Sequence, residues 1–204
     1  MTAIYLIRHG QTDFNRKGKL PGWLPGIHLN ETGRQQADRL AESFQGIPLQ
    51  AIYSSPLERA METAARLAQA KRLKVEIREG LGEVRVGTWE GLSLRAARRR
   101  KLWPTIRCAP SLARFPQGES FVEAQARVVG ELESLRAAHK GAIACVSHAD
   151  PIKLAVAHYL GLPLDQFQRL TIEPASISLL EVHNRSARLI RLNDSHAAGS
   201  APTG

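Results

Sequence analysis

Cysteine is scarce in this chain, with only Cys108 and Cys145 among 204 residues. Two thiols are too few for a disulfide framework, and Cys145 lies in the apolar run AIACV, where a thiol behaves as a small buried hydrophobe. A reducing, cytoplasmic setting is therefore expected. No apolar run approaches membrane-spanning length, and the N-terminus opens on the strand-like AIYLI without a basic stretch before a long apolar one, so neither secretion nor membrane insertion is expected. Aromatic residues make up only 5% of the chain, and neither a zinc-finger spacing nor an aromatic RNA-binding signature is present. His28, His139, His158, His183 and His196 show no metal-type spacing with acids or cysteines and read as structural or surface residues, so no metal site is expected. Acids are in short supply as well: 19 against 28 lysines and arginines, a formal charge of +9. The densest basic stretch, LRAARRRK at 94–101, would spread its arginines around most of a helix. It reads as a solvated or substrate-steering face, and no nucleic-acid partner is expected.

What is present suits one domain with a sizeable core: 43% hydrophobic and 23% charged residues. One domain is expected over residues 1–193, followed by a small, polar, disordered tail over 194–204. Strand-like runs rich in β-branched residues occur at 3–9, 50–55, 74–78, 142–148, 176–182 and 187–192. Helical patterns lie between the first four, an order that reads as α/β. Ala37, Leu40, Ala41 and Phe44 mark one buried stripe, and Phe121, Val128, Leu132 and Leu135 mark another. Capping-box patterns start two helices, Ser55 with Glu58 and Ser120 with Glu123. Asp150 with Pro151 reads as a cap and first position of a third. The hairpin-like HNRS between the last two runs makes one of them antiparallel on a mostly parallel sheet.

In open α/β sheets, ligands bind beyond the carboxyl ends of parallel strands. Those ends carry Arg8 and His9 from the first strand, Ser54 and Ser55 leading to Arg59 from the second, and Ser147 and His148 from the fourth. Arginine presents a fixed fork of donors suited to phosphate oxygens, and helix N-termini add unpaired N–H groups. The pocket asks for a phosphoryl group. A neutral imidazole can attack phosphorus without a separate base, provided an acceptor fixes the tautomer at its other nitrogen. Arg8, Arg59 and a protonated His148 could stabilise the transferring group without a metal. A carboxyl with a raised pKa must protonate the leaving oxygen and later activate water. The physics alone does not choose among Glu79, Glu83 and Glu90.

The segments LIRHGQTDFN, LNETGRQQA, YSSPLERAMETA, LGEVRVGTWEG and CVSHADPIK occur in an order that resembles the histidine phosphatase superfamily, also called the phosphoglycerate mutase-like family. The resemblance covers residues 4 to about 182. It implies a three-layer α/β/α fold with a mostly parallel central sheet and one antiparallel edge strand. It also implies that His9 becomes phosphohistidine, that Arg8, Arg59 and His148 form the phosphate pocket, and that Glu83 is the general acid and base. Thr12 and Asn15 match positions that bind substrate or phosphate; Gln11 and Ala149 join them in the expected binding set. No cofactor is implied. The expected partner is a small phosphorylated metabolite, and a homodimer is expected only from the general frequency of dimers.

VRVGTWEGLS after Glu83 looks like the phosphatase branch. A metal-independent phosphomonoesterase is the expectation, phosphoglycerate mutase-type transfer the alternative, and a non-catalytic phospho-ligand or polyanion binder the reading from another class. The family often has two glycines after the second histidine, where this chain has Ala149 and Asp150; Asp150 is expected to turn away and cap its helix. Trp89 reads as a packing anchor, Gly118 and Glu119 as a turn and a first-turn acid. Residues 101–119 read as a surface excursion that could close over the site, edged by Arg107 and Arg114.

Overall fold

A computed structural model describes residues 1–183 and 186–195. Six strands, β1 (Thr2–Arg8), β2 (Leu49–Ser54), β3 (Val75–Ile77), β4 (Ala142–Ser147), β5 (Ile177–His183) and β6 (Ser186–Asp194), form one sheet in the order β3-β2-β4-β1-β5-β6. The β1–β4, β2–β4 and β2–β3 pairs are parallel, while β5 runs antiparallel to both β1 and β6. The antiparallel strand is thus one position in from the edge, and β6 closes the sheet in the direction of β1. A hairpin after β5 requires this, because it reverses the chain a second time. The expected tail lies outside the described residues from residue 196 onward, as does His196, and Asp194 still belongs to β6.

The helices are α1 (Asp13–Arg16), α2 (Glu31–Ser43), α3 (Glu58–Lys71), α4 (Leu94–Ala97), α5 (Trp103–Cys108), α6 (Phe121–Ala138) and α7 (Ala149–Tyr159). Side chains alternate across a strand, and the two faces are separated accordingly. Ile7, Ile52, Ala144 and Val146 pack with Leu40 and Phe44 at α2 and with Ala60, Ala64 and Leu67 of α3. On the opposite face, Ile4, Leu6, Tyr53, Ile143 and Cys145 pack with the apolar stripe of α6 and with Ile152, Leu154 and Ala155 of α7. Two helical layers therefore enclose a sheet buried on both sides, which is why its central strands read as near-continuous apolar runs.

The capping box at Ser120 and Glu123 is formed, whereas the one read at Ser55 and Glu58 is not. Leu57 precedes α3 with no side-chain cap; Ser55 Oγ instead meets His148 Nε2 at 2.7 Å, and the Glu58 carboxylate accepts the Gly26 N–H. Tertiary partners have taken both capping groups. Asp150 is not a cap either. α7 begins two residues earlier than expected, at Ala149, with His148 in the cap position, so Asp150 falls in the first turn and lines the cavity described below.

Residues 101–119 do not close over the site. Ile106, Ala113 and Phe115 are buried in the α6–α7 side of the core, and Trp89 meets Phe115 edge-on at 5.4 Å, the packing role expected of it. Arg107 bonds Gln168, and Arg114 pairs with Glu123; neither lines the cavity. Arg98, Arg99, Arg100 and Lys101 are exposed as a basic face, with Ala97 facing inward. No helix among the described residues is long and apolar enough to cross a membrane.

Candidate active site

β1 and β4 are neighbours in register, Arg8 opposite Ser147, so the residues that follow each strand emerge together. The His9 N–H donates to the Ser147 carbonyl, and the Ser55 N–H donates to the Val146 carbonyl, which brings the β2 exit alongside. Ala175 clasps the β1 exit from the other side: its N–H bonds the carbonyls of Arg8 and His9. Ala175 has a φ of 59°, a left-handed conformation that an alanine adopts only where the surroundings impose it.

The glycine of RHG has a physical explanation. A Cβ on Gly10 would come within 2.5 Å of the Gly33 carbonyl oxygen, and one on Gly33 would come within 2.1 Å of the Gln11 oxygen. The first motif and LNETG are thus fitted backbone against backbone, which only glycine allows. Thr63 of α3 accepts the Gly10 N–H at 3.0 Å and fixes the loop from a third element.

His9 is buried, and its Nδ1 lies 2.7 Å from the Gly10 carbonyl. A carbonyl can only accept, so Nδ1 carries the proton and Nε2 keeps its lone pair. Burial, reinforced by Arg59 and Arg8, holds the His9 pKa well below 6.5, and the ring is neutral at pH 7. His148 stands edge-on to it with ring centroids 5.1 Å apart. Burial and the same arginines also lower the His148 pKa well below its usual value. The protonated His148 expected from sequence is therefore not the state of the free protein. The sequence shows the histidine but not its complete burial beside two cations.

Arg59 is completely buried; its Nη2 donates to the Gly22 carbonyl at 2.9 Å, and its Nε and Nη1 have no partner. Arg8 donates from Nη1 to the Ile172 carbonyl at 2.6 Å and leaves Nε unpartnered, as His148 leaves Nδ1. Buried polar groups are normally paired. Of the six such unpaired atoms among the described residues, four belong to Arg8, Arg59 and His148 around His9; the others are Arg78 Nε and Ser176 Oγ.

A cavity of about 1050 Å³ opens above. Arg8, His9, Gln11, Asn15, Glu83 and Ala149 line it, and Asp150, Arg39 and Lys153 stand in its outer wall. Arg59 and His148, with no exposed surface, are not part of the wall. Thr12 is absent from it too: Thr12 and Asn15 cap α1 reciprocally, and both the backbone N–H and the hydroxyl of Thr12 bond Asn15 Oδ1. Thr12 thus stands behind Asn15, which does line the cavity.

The structure separates the three candidate acids. Glu79 is exposed, and Glu90 is half-buried with its carboxylate on the Trp23 N–H, not the free loop acid it resembled. Glu83 faces the cavity, with Oε1 accepting the Val84 N–H at 2.9 Å and Oε2 4.0 Å from His148 Nδ1. Burial, with a further push from Asp150, raises the Glu83 pKa to about 7 against the opposing pull of Arg59 and Arg8.

A family model described as histidine phosphatase superfamily (branch 1) matches residues 4–195. The chain belongs to this superfamily. Phosphoserine phosphatase 1 of Hydrogenobacter thermophilus is 31% identical over 95% of this chain and 92% of that protein. A 2,3-bisphosphoglycerate-dependent phosphoglycerate mutase of Thermoplasma acidophilum is 29% identical over 89% of this chain and 88% of that protein. Among solved structures, a mycobacterial glucosyl-3-phosphoglycerate phosphatase in complex with VO3 superimposes with a TM-score of 0.86 at 30% identity, covering 94% of this chain and 98% of that one. The phosphoserine phosphatase of Entamoeba histolytica in complex with 3-phosphoglyceric acid gives 0.87 at 28% identity, covering 95% and 98%. The phosphoglycerate mutase-like architecture and the phosphatase character read from the motifs are those of the superfamily.

Sequence reasoning missed three parts of the site. The Ile172–Ala175 segment shapes one wall, Trp23 bonds the Glu83 carbonyl from 60 residues away, and Glu119, which precedes the Ser120 cap and so is not a first-turn acid, pairs with Arg127. Only the FPQGES segment carried a signal for any of these.

Proposed function

We propose that this superfamily member hydrolyses a small phosphorylated metabolite, with His9 as the group that carries the phosphoryl. The observation that carries this reading is the His9–Gly10 bond, which fixes the Nδ1–H tautomer and leaves a neutral, buried Nε2 for attack. Nε2 forms the bond to phosphorus while the ester P–O bond breaks, and the protonated Glu83 delivers its proton to the departing oxygen. Glu83, now ionised, takes a proton from water; the water oxygen attacks phosphorus, the P–N bond breaks, and inorganic phosphate leaves. The unpaired donors of Arg8 and Arg59 would hold the phosphoryl oxygens. Burial and the two guanidinium charges keep His148 neutral, and a bound dianion would offset the charges, favouring uptake of a proton as substrate enters. Asn15, Gln11 and Ala149, at the cavity wall, would complete the grip on the ester. Each step uses only side chains of this chain and water. The unpaired Cys108 and Cys145 favour a reducing compartment such as the cytoplasm.

Phosphate release from a panel of phosphomonoesters in excess EDTA tests the reading, with His9→Ala and Glu83→Gln alongside. His9→Ala is expected to abolish turnover, a loss on the order of 10⁴-fold or more. Release that survives it would overturn the assignment. The Thermoplasma relative favours a second reading, phosphoryl transfer between hydroxyls of phosphoglycerate. Isomerisation of 3-phosphoglycerate faster than its hydrolysis would establish that reading instead.

A further inference from the structure

Glu83 has to serve first as acid and then as base, yet it sits in a loop between a short strand and an irregular stretch, where backbone is ordinarily mobile. The way this loop is held is unusual. Arg127, in the middle of α6, donates from Nη1 to the carbonyls of Gly80 at 2.9 Å and Gly82 at 3.0 Å, and from Nη2 to the carbonyl of Glu83 at 3.2 Å. Its Nη2 and Nε also meet the Glu119 carboxylate at 2.6 and 3.2 Å. All five N–H donors of a guanidinium are thereby used. The Glu119 carboxylate reaches the same loop beyond the acid, accepting the Arg85 N–H at 2.9 Å. The two partners are mostly shielded from solvent, with 22% and 12% of their side-chain surfaces exposed.

The loop is shaped to accept this grip. A Cβ on Gly80 would collide with the Glu131 side chain at 2.5 Å, and one on Gly82 with the Trp23 ring at 2.3 Å. Trp23 Nε1 donates to the Glu83 carbonyl at 2.6 Å, and the Arg85 guanidinium stacks 3.6 Å above the Trp23 ring. The Glu83 peptide is therefore bonded at its own carbonyl by two donors and anchored two residues further along through Glu119.

We propose that the Arg127–Glu119 pair is a positioning device that holds the Glu83 carboxyl at the leaving-group oxygen, so that one loop acid can serve both halves of the reaction. The inference rests on the phosphatase reading above. Neither residue touches substrate; both act through the backbone of Glu83. Lysine cannot replace Arg127, because a single ammonium cannot span three carbonyls and a carboxylate.

The test compares Arg127→Lys and Glu119→Gln with the unmodified protein on two esters, an alkyl phosphate that needs a proton donor and p-nitrophenyl phosphate, whose leaving group departs unprotonated. For the alkyl ester kcat/KM should fall by about 30-fold or more, and for p-nitrophenyl phosphate by less than about 3-fold, because general acid assistance is withdrawn from one and was never needed by the other. With p-nitrophenyl phosphate the variants should show a burst of p-nitrophenol and accumulate phosphohistidine, since the same carboxyl is the base for water. Adding Arg127→Lys to Glu83→Gln should change neither rate further. Glu119→Gln keeps the shape of the side chain, and its melting temperature serves as the check on folding. Equal losses on both esters from a folded Glu119→Gln protein, or no loss on either, would overturn the positioning role alone. If the unmodified protein releases no phosphate from any ester, the phosphatase reading falls and takes this inference with it.

Discussion

Two arginines inside this molecule have opposite fates. Arg59, at the start of α3, is completely buried with Nε and Nη1 unpartnered; Arg127, in the middle of α6, uses every donor it has on carbonyls and a carboxylate. Burial lowers the Arg59 pKa, a sign that its charge is held against a desolvation cost. The difference separates two uses of one side chain. An arginine with unmet donors is held ready for a ligand at the expense of stability, and one with all its donors met is a fastener. Arg59 lies in the region around His9 where the unpaired atoms gather, whereas Arg127 stands behind the acid it fixes.

The largest effect should come from removing the unmet donors. Arg59→Met should lower kcat/KM by about 10²- to 10³-fold, the scale of one lost donor to a developing oxyanion, while the melting temperature holds or rises because an unpaired buried charge has gone. A melting temperature that falls steeply would show that Arg59 is a fastener too and erase the contrast. Arg127→Met should do the reverse to stability. It strands three carbonyls and the Glu119 carboxylate, and a loss of about 3 kcal/mol corresponds to a melting point lower by roughly 10 °C.

The pH profile sharpens the same contrast. In the proposed mechanism phosphorylation requires Glu83 protonated, and its pKa is raised to about 7, so kcat/KM on an alkyl ester should fall about tenfold per pH unit above that value. The acid limb, set by His9, should lie well below pH 6.5 because burial depresses its pKa. Asp150→Asn removes a neighbouring negative charge that keeps the Glu83 proton on, so the basic limb should move to lower pH. An unmoved limb would show that Asp150 does not act on Glu83. The smallest effect distinguishes the two serines that carry capping patterns. Ser120→Ala should cost about 1 kcal/mol as a lost N-cap. Ser55 Oγ accepts the Leu57 N–H at 3.3 Å, one residue before α3, and no N–H of the helix itself, so Ser55→Ala should affect turnover through His148 more than it affects the helix.

Much of this was legible in the sequence. The apolar, β-branched strand runs and the stripes at Ala37–Phe44 and Phe121–Leu135 record burial, which is a local property of each element, and so the layers could be read without coordinates. Arg8, His9 and His148 were legible because a parallel α/β sheet places the residues after its central strands at one edge. Partners distant in sequence were not. Ser55 has the local signature of a cap and is claimed by a histidine 93 residues away, and Asp150 has the same signature but faces the cavity because α7 starts two residues sooner.

The sequence by itself determined the sheet, the two helical layers, the family and the histidines and arginines at the strand exits, because periodicity and motif order are written along the chain. The family motif singled out Glu83, and only the tertiary structure gave the physical reason: Glu79, Glu83 and Glu90 are alike as residue types, and Glu83 is the one that faces the cavity, with burial and Asp150 raising its pKa. The same packing decided that His148 is neutral in the free protein, that Thr12 orients Asn15 without lining the cavity, and that Glu119 grips α6. A pKa or a hydrogen-bond partner depends on what the folded chain brings within a few ångströms, and that is set by the whole sheet and its helices together.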